Sequence, residues 1–194
     1  MARAGNPGPL WDALEQYRAR LNRLVALRMH PRARGRIDAS DVVQEALLEV
    51  SQRLDHFLAQ GEMPFFLWVR YLTVQKLQQL HRFHLGAEAR DARREVLANV
   101  NLGPAASSLV LARSLAASGL SPSQHVAEAE RFERLERVLE GLDAVDLEVI
   151  ALRHFEELSN REAAQVLGLK ESAASRRYLR AVVRIREQLE SEPK

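Results

Sequence analysis

The chain has 194 residues, 46% apolar, 28% charged and only 6% aromatic, with a formal net charge of +2; that holds one large domain or two small ones and favours helices over sheets. The absence of cysteine excludes disulfides, thiolate metal sites and cysteine nucleophiles, and it fits a reducing cytoplasm. No apolar run of about 18 residues marks a membrane span, and the Pro- and Gly-bearing residues 1–9 lack the apolar stretch of a secretory signal, so the expectation is a cytoplasmic protein with no membrane insertion and a disordered lead.

From Leu10 to Met29, apolar residues recur at spacings of three and four, which predicts an amphipathic helix. His30-Pro31 ends it, because a residue before proline avoids the helical region. A second helix starts at the cap residues Asp38 to Ser40 and runs to about Phe57, with Gly61 as breaker. Pro64 opens a third, carrying Phe65, Phe66, Trp68, Val69, Leu72, Leu77 and Leu80 and fading near Gly86; Trp68 is expected in the core, in register with Phe65 and Leu72. Residues 98–122 are rich in Ala, Ser, Gly, Asn and Pro and read as a linker with one short helix around Ser108 to Ala117. Ser121-Pro122-Ser123-Gln124 caps a further helix that Gly141 stops. Asp143 caps the next, and Ser159 with Glu162 forms a capping box for a short helix ending at Gly168. A last helix follows Leu169-Lys170. No segment alternates like a strand. The expected architecture is all-α: two small helical domains at 10–97 and 123–194, joined by a flexible linker too poor in large apolar side chains to build a core.

Charge is unevenly placed. Residues 1–36 hold eight Arg against Asp12 and Glu15, a balance of +6. Residues 128–148 balance to −5 and residues 159–186 to +5. Basic ends around an acidic waist suggest two nucleic-acid or polyanion contacts.

Residues 159–186 carry the strongest local signal. A capped two-turn helix, a turn at Gly168 and a longer Arg-rich helix make the helix-turn-helix layout. Ala163 and Ala164 permit a close crossing, with Val166, Leu169, Leu179 and Val183 expected in the shared core. Ser172, Ser175, Arg176 and Arg180 then fall on one outward face, where an arginine is suited to guanine or phosphate, and the short Ala173 and Ser175 let the helix lie deep in a groove.

The run from Leu147 to Ala164, and its continuation Gly168 to Ala181, resembles the fourth conserved region of the sigma-70 superfamily of transcription initiation factors, most of all its extracytoplasmic-function group. The resemblance implies that this domain reads the minus-thirty-five promoter element in the major groove, through Lys170, Ser172, Ser175, Arg176, Arg177, Arg180 and Arg184. Ser175 stands where the family's basic reader is usual and Arg176 where its Ser is usual, whereas Arg177 and Arg180 match.

Asp41-Val42-Val43-Gln44-Glu45-Ala46 resembles the family's helix that docks on the largest catalytic subunits of RNA polymerase, which implies polymerase-binding roles for Asp41, Val42, Gln44, Glu45 and Glu49. Phe65-Phe66-Leu67-Trp68-Val69-Arg70 is similar to the start of the helix whose end holds the melted minus-ten strand. The residues so implied are Gln75, Arg82, Phe83, His84, Arg90, Arg93 and Arg94. The implied partners are core RNA polymerase, double-stranded and melted promoter DNA, and an anti-sigma factor. No catalytic constellation, cofactor motif or Walker-type phosphate loop is found, and His81 with His84 supplies two ligands where a zinc site needs three or four. The alternative is a helix-turn-helix regulator whose first half dimerises or senses a ligand.

Overall fold

Proline, glycine and short polar side chains set the ends of the helices. The computed structural model describes residues 8–61, 63–85, 105–117 and 125–191, and these form an all-α protein. Helix α1 (Gly8–Arg28) takes in Gly8 and Pro9 from the expected lead. A single 3-10 turn, Pro31–Ala33, follows His30, whose ring accepts a hydrogen bond from the Arg32 N–H. Helix α2 (Ala39–Gln60) starts at Asp38, whose carboxylate accepts from the Ser40 N–H, and ends at Gly61 in the left-handed region with φ 57°. Helix α3 is Phe65–Leu85, one residue past Pro64. The cap expected at Ser121 to Gln124 lies outside the described residues.

These three helices pack as a bundle. The apolar stripe of α1 (Leu14, Leu21, Leu24, Val25) meets Val42, Val43, Leu47 and Val50 of α2 and Phe66, Val69, Leu72 and Leu77 of α3, all essentially inaccessible. Trp68 is half-buried against this cluster and stacks on Phe57 with ring centroids 4.3 Å apart.

The remaining helices are α4 (Ser108–Ala117), α5 (His125–Glu140), α6 (Ala144–Ile150), α7 (Asn160–Leu167) and α8 (Glu171–Ser191). Asp143 caps α6 by accepting from the Val145 N–H. The Ser159–Glu162 capping box is complete in both directions, and Gly168 closes α7 with φ 66°. Between α6 and α7 the helix widens into a π-turn, Ala151–Phe155, in which the Glu156 N–H reaches the Ala151 carbonyl at 3.1 Å.

The structure differs from expectation in two places. The short helix expected around Ser108 to Ala117 is present as α4, but its segment contributes to a core instead of only linking: Ala106, Leu111 and Ala112 are buried with Leu139, Leu142, Ile150, Phe155 and Ala181, and with Leu27 of α1. Alanine permits close helix approach, so α4 needs only Leu111 and its small neighbours to seat itself against α5. Second, Leu179 and Val183 do not join the shared core; they are 58% and 51% exposed. The inward stripe of α8 is instead Ala174, Tyr178, Ala181 and Ile185, at spacings of three and four, with both alanines fully covered. Small residues bring the helix axes close, and that rotation turns Leu179 and Val183 outward.

The two helical domains also touch. The first cluster runs without interruption from α1–α3 into Val149, Leu152, Leu158, Ala163, Val166 and Leu167 of the second half.

The capping box gives a local check on this reading. Ser159→Ala removes the acceptor for the Glu162 N–H and lowers the unfolding free energy by about 1 kcal/mol, measured as a shift of the urea midpoint at unchanged slope.

Candidate nucleic-acid interface

The second domain is braced before it presents anything. Asn160, at the start of α7, accepts from Arg153 Nη1 at 3.1 Å and donates to the Glu171 carbonyl at 3.0 Å, fixing the first turn of α8 against α7. Arg177 donates to Asp146 at 2.7 Å, a bond across to α6, with Asp143 at 3.4 Å. The Tyr178 hydroxyl meets His154 Nε2 at 2.8 Å. Burial, then the Arg153 charge, push the His154 pKa below its ordinary value.

With its inner stripe held, α8 offers an outer face. Lys170, Ser172, Arg176, Arg180 and Arg184 are exposed and Ser175 is half-buried. Together with Ala173, Arg177, Leu179 and Arg180, Arg176 lines a shallow open groove. Arg177 lines the same groove but differs from this group in that its guanidinium is engaged by Asp146 of α6, so it also holds the helix. A cationic, small-residue face 21 residues long on a helix-turn-helix unit has the shape and charge to enter a DNA major groove.

In the first domain, Arg82 and Phe83 project from the last turn of α3, Phe83 being 82% exposed. Gln75 is half-buried and donates to the Tyr71 hydroxyl at 2.6 Å. His84 is within α3, and Arg90, Arg93 and Arg94 lie outside the described residues. On α2, Asp41, Gln44 and Glu45 are exposed; Glu45 pairs with Lys76 at 2.9 Å and the half-buried Glu49 with Arg53 at 2.7 Å. Val42 is a correction: it is fully buried in the bundle core, so it seats α2 without reaching its surface.

The sequence reading missed the most concentrated cluster of buried charges among the described residues. Arg28 of α1 and Arg70 of α3 meet Glu148 of α6 and Glu156 after the π-turn, with no side chain more than 1% exposed. Arg28 donates to Glu148 Oε2 at 2.8 Å and to Glu156 Oε1 at 2.7 Å; Arg70 Nε donates to Glu156 Oε2 at 2.6 Å. Glu148 also accepts from the Ala106 N–H at 2.7 Å, which ties in the residue leading to α4.

The π-turn makes this possible. Eight regular helical residues rotate about 800°, roughly 80° beyond two turns; one inserted residue takes back about 100° and sets Glu148 and Glu156 on nearly one face. Around the quartet, Arg20 donates to the Glu156 and Glu157 carbonyls at 2.9 Å while its guanidinium lies 3.8 Å over the Phe66 ring. Arg23 reaches the Phe155 carbonyl and pairs with Glu157, which itself holds φ 53°.

The signal for this site was a charged residue in apolar register. Arg28 lies three and four residues past Val25 and Leu24, and Arg70 four past Phe66 and three before Thr73, all buried.

Comparison with known proteins decides the family. The family described as "Sigma-70, region 4" matches residues 132–185. The RNA polymerase sigma factor CnrH of Cupriavidus metallidurans is 33% identical over 144 residues, covering 74% of this chain and 69% of CnrH. The chain belongs to the sigma-70 superfamily, in its extracytoplasmic-function branch. Solved sigma factors share the fold. CnrH in complex with the cytosolic domain of CnrY superposes with a TM-score of 0.53 at 21% identity, covering 98% of this chain and 93% of that one. The sigma factor RpoE in complex with the anti-sigma factor NepR from Bartonella quintana gives 0.50 at 17% identity, covering 97% and 100%.

In this sigma factor the quartet carries a pH signature. Burial pushes the Glu156 carboxyl up, but the Arg70 and Arg28 guanidiniums outweigh it and hold its pKa below the ordinary 4.5. A depressed folded value means that the stabilisation is complete above the unfolded value and is lost as pH falls through 4.5 toward the folded one. Urea midpoints measured from about pH 6 down to about pH 3 fall with pH, and Glu156→Gln flattens that slope.

Proposed function

We propose that the chain binds core RNA polymerase and directs promoter-specific initiation, with α8 reading the minus-thirty-five duplex and the end of α3, with the segment beyond it, holding the melted minus-ten strand. The observation that carries this is the outward face of α8: Ser172, Arg176, Arg180 and Arg184 stand open on a helix that α6 and α7 hold from behind. Arginine forks on such a face suit guanine edges and phosphate oxygens. In the first domain, the exposed Arg82 and Phe83 offer a cation and a ring of the kind that takes unstacked bases. Asp41, Gln44 and Glu45 are directed polar groups on an otherwise seated helix, suited to fixing register on a partner.

The energy for strand opening comes, on this reading, from binding alone. An anti-sigma factor is a further partner, by analogy with the NepR complex of the Bartonella protein.

The test is reconstitution: purified chain and core polymerase with a genomic promoter library, scored by transcript start sites. Discrete starts that depend on the chain support the reading. Failure to bind core polymerase, with tight dimeric binding to paired half-sites instead, supports the regulator alternative.

Two substitutions refine the assignment on α8. Arg176→Ala costs about 1–3 kcal/mol in affinity for the preferred duplex and relaxes preference at one position if the side chain reads a base. Arg184→Ala, further along the helix, weakens all sequences alike and reduces the salt slope by about 0.9. Titrations against matched and mismatched duplexes at several salt concentrations separate the two.

A further inference from the structure

The arginines near the start of the chain fall into two sets. Those described on α1 are answered: Arg18 by Glu15, Arg20 and Arg23 by Glu157, and Arg28 by Glu148 and Glu156. Those of the loop between α1 and α2 are not. Arg32 and Arg36 are exposed and Arg34 is half-buried, and none of the three has a carboxylate within ion-pair distance among the described residues. The nearest acid along the chain, Asp38, is taken up by the Ser40 N–H and hydroxyl at 2.8 and 2.9 Å.

This loop is an ordered knot of backbone. Ala33 is buried in the bundle core. The N–H groups of Ala33, Arg34, Arg36 and Ile37 donate to the His30, Pro31 and Ala33 carbonyls at 2.9 to 3.2 Å. Gly35, with φ 89°, supplies the reversal that a side chain would strain. Arg34 Nη2 reaches back to the Ala26 carbonyl of α1 at 3.5 Å. These donors are used inside the loop, so what it turns outward is the guanidinium groups of Arg32 and Arg36.

Chain direction sets the knot beside the end of α3. Helix α1 ends, α2 begins and α3 ends at one end of the bundle. The His30 N–H donates to His81 Nε2 at 3.2 Å, and the His30 ring accepts from the Arg32 N–H at 3.2 Å. His81 immediately precedes Arg82 and Phe83, which are both exposed. The unanswered cations of the loop are thus continuous with the cation and ring on which unstacked bases would sit.

We infer that Arg32 and Arg36 are a phosphate-binding platform, carrying the sugar-phosphate backbone of a single DNA strand whose bases lie at Arg82 and Phe83. Guanidinium forks match phosphate oxygens. Such contacts position a strand and carry no sequence information. The loop is already ordered, so binding has only the two side chains to immobilise.

This inference rests on the sigma-factor reading for the strand's origin, and the experiment separates the two. The full chain is titrated by fluorescence anisotropy, at several salt concentrations, against a labelled single-stranded oligonucleotide and against a duplex of the same sequence. Arg32→Gln with Arg36→Gln should lower the salt slope on the single strand by about 1.4, at about 0.7 per lost phosphate contact. Between about 0.05 and 0.2 M salt the variant should therefore lose about sevenfold less affinity than the wild type. The duplex slope should stay unchanged, and Arg32→Lys with Arg36→Lys should restore the single-strand slope. Both side chains are exposed, so the urea midpoint of each variant should match the wild type.

An unchanged single-strand slope in the glutamine pair overturns the platform, and so does an equal fall on the duplex, which marks a general charge effect. Weaker binding of that pair to core polymerase without DNA, at an unchanged single-strand slope, assigns the loop to an acidic protein surface and overturns it as well. A wild type that binds the single strand yet gives no promoter transcripts with core polymerase strikes the sigma-factor reading, and the slopes still judge the platform.

Discussion

Four buried charges set the shape of this molecule. Arg28, Arg70, Glu148 and Glu156 are far apart in sequence and come together only when both domains are in place. Parting the domains takes from Arg28 and Arg70 the carboxylates that they meet here. Removing one partner from such a set costs about 3–5 kcal/mol, while replacing the whole set with apolar groups is often neutral or better. The cluster is therefore poor as a source of stability and good as a source of specificity: it accepts one docking geometry and penalises neighbouring ones. The π-turn at Ala151–Phe155 and the Ala106 N–H on Glu148 extend that constraint to the local backbone.

The arginines of this chain divide by what faces them. Arg28 and Arg70 are internal. Arg20, Arg23 and Arg177 bridge elements, the first two onto the Phe155–Glu157 turn and the third onto α6. Arg176, Arg180 and Arg184 stay open on α8. The division has one geometric origin on α8. Ala174 and Ala181 let the helix sink against its neighbours, and the residues one position beyond the inward stripe are then held on the outside. Arg177 falls beside Tyr178 at the edge of that stripe, within reach of Asp146; Arg176 and Arg180 fall clear of it.

The helices were legible in the sequence because their ends are chemically marked: Asp38, Asp143, Ser159, Gly61 and Gly168 each sit at the cap that the structure shows. The helix-turn-helix and its family were legible for the same reason, since a capping box, a left-handed glycine and a basic helix follow in short order. What sequence could not show was tertiary pairing. Periodicity says that a helix has an apolar face, but not which of two mixed faces wins, so Leu179 and Val183 were assigned inward where the smaller alanines prevail. Composition rated residues 98–122 as too poor to pack, yet Leu111 beside Ala112 is enough where the neighbour is close. Val42 illustrates the converse: its place in a motif that resembles a docking helix does not put its side chain on the surface.

The charge distribution is the subtler case. A balance of +6 over residues 1–36 and −5 over residues 128–148 suggests one end of the chain reaching for a polyanion. In the folded chain, Arg28 of the first segment meets Glu148 of the second, and Arg20 and Arg23 meet the acidic turn just beyond it. Much of that basic excess is thus answered from within. The opposed charge of two remote segments is an electrostatic complement between domains, and it raises the rate and accuracy with which they find each other. The third segment, the +5 of residues 159–186, keeps most of its charge facing out, because its inward contacts are made by alanine, tyrosine and isoleucine. Net charge along a sequence therefore identifies an external partner only after the internal pairs have been subtracted, and on α8 that subtraction leaves Arg176, Arg180 and Arg184 on the outer face.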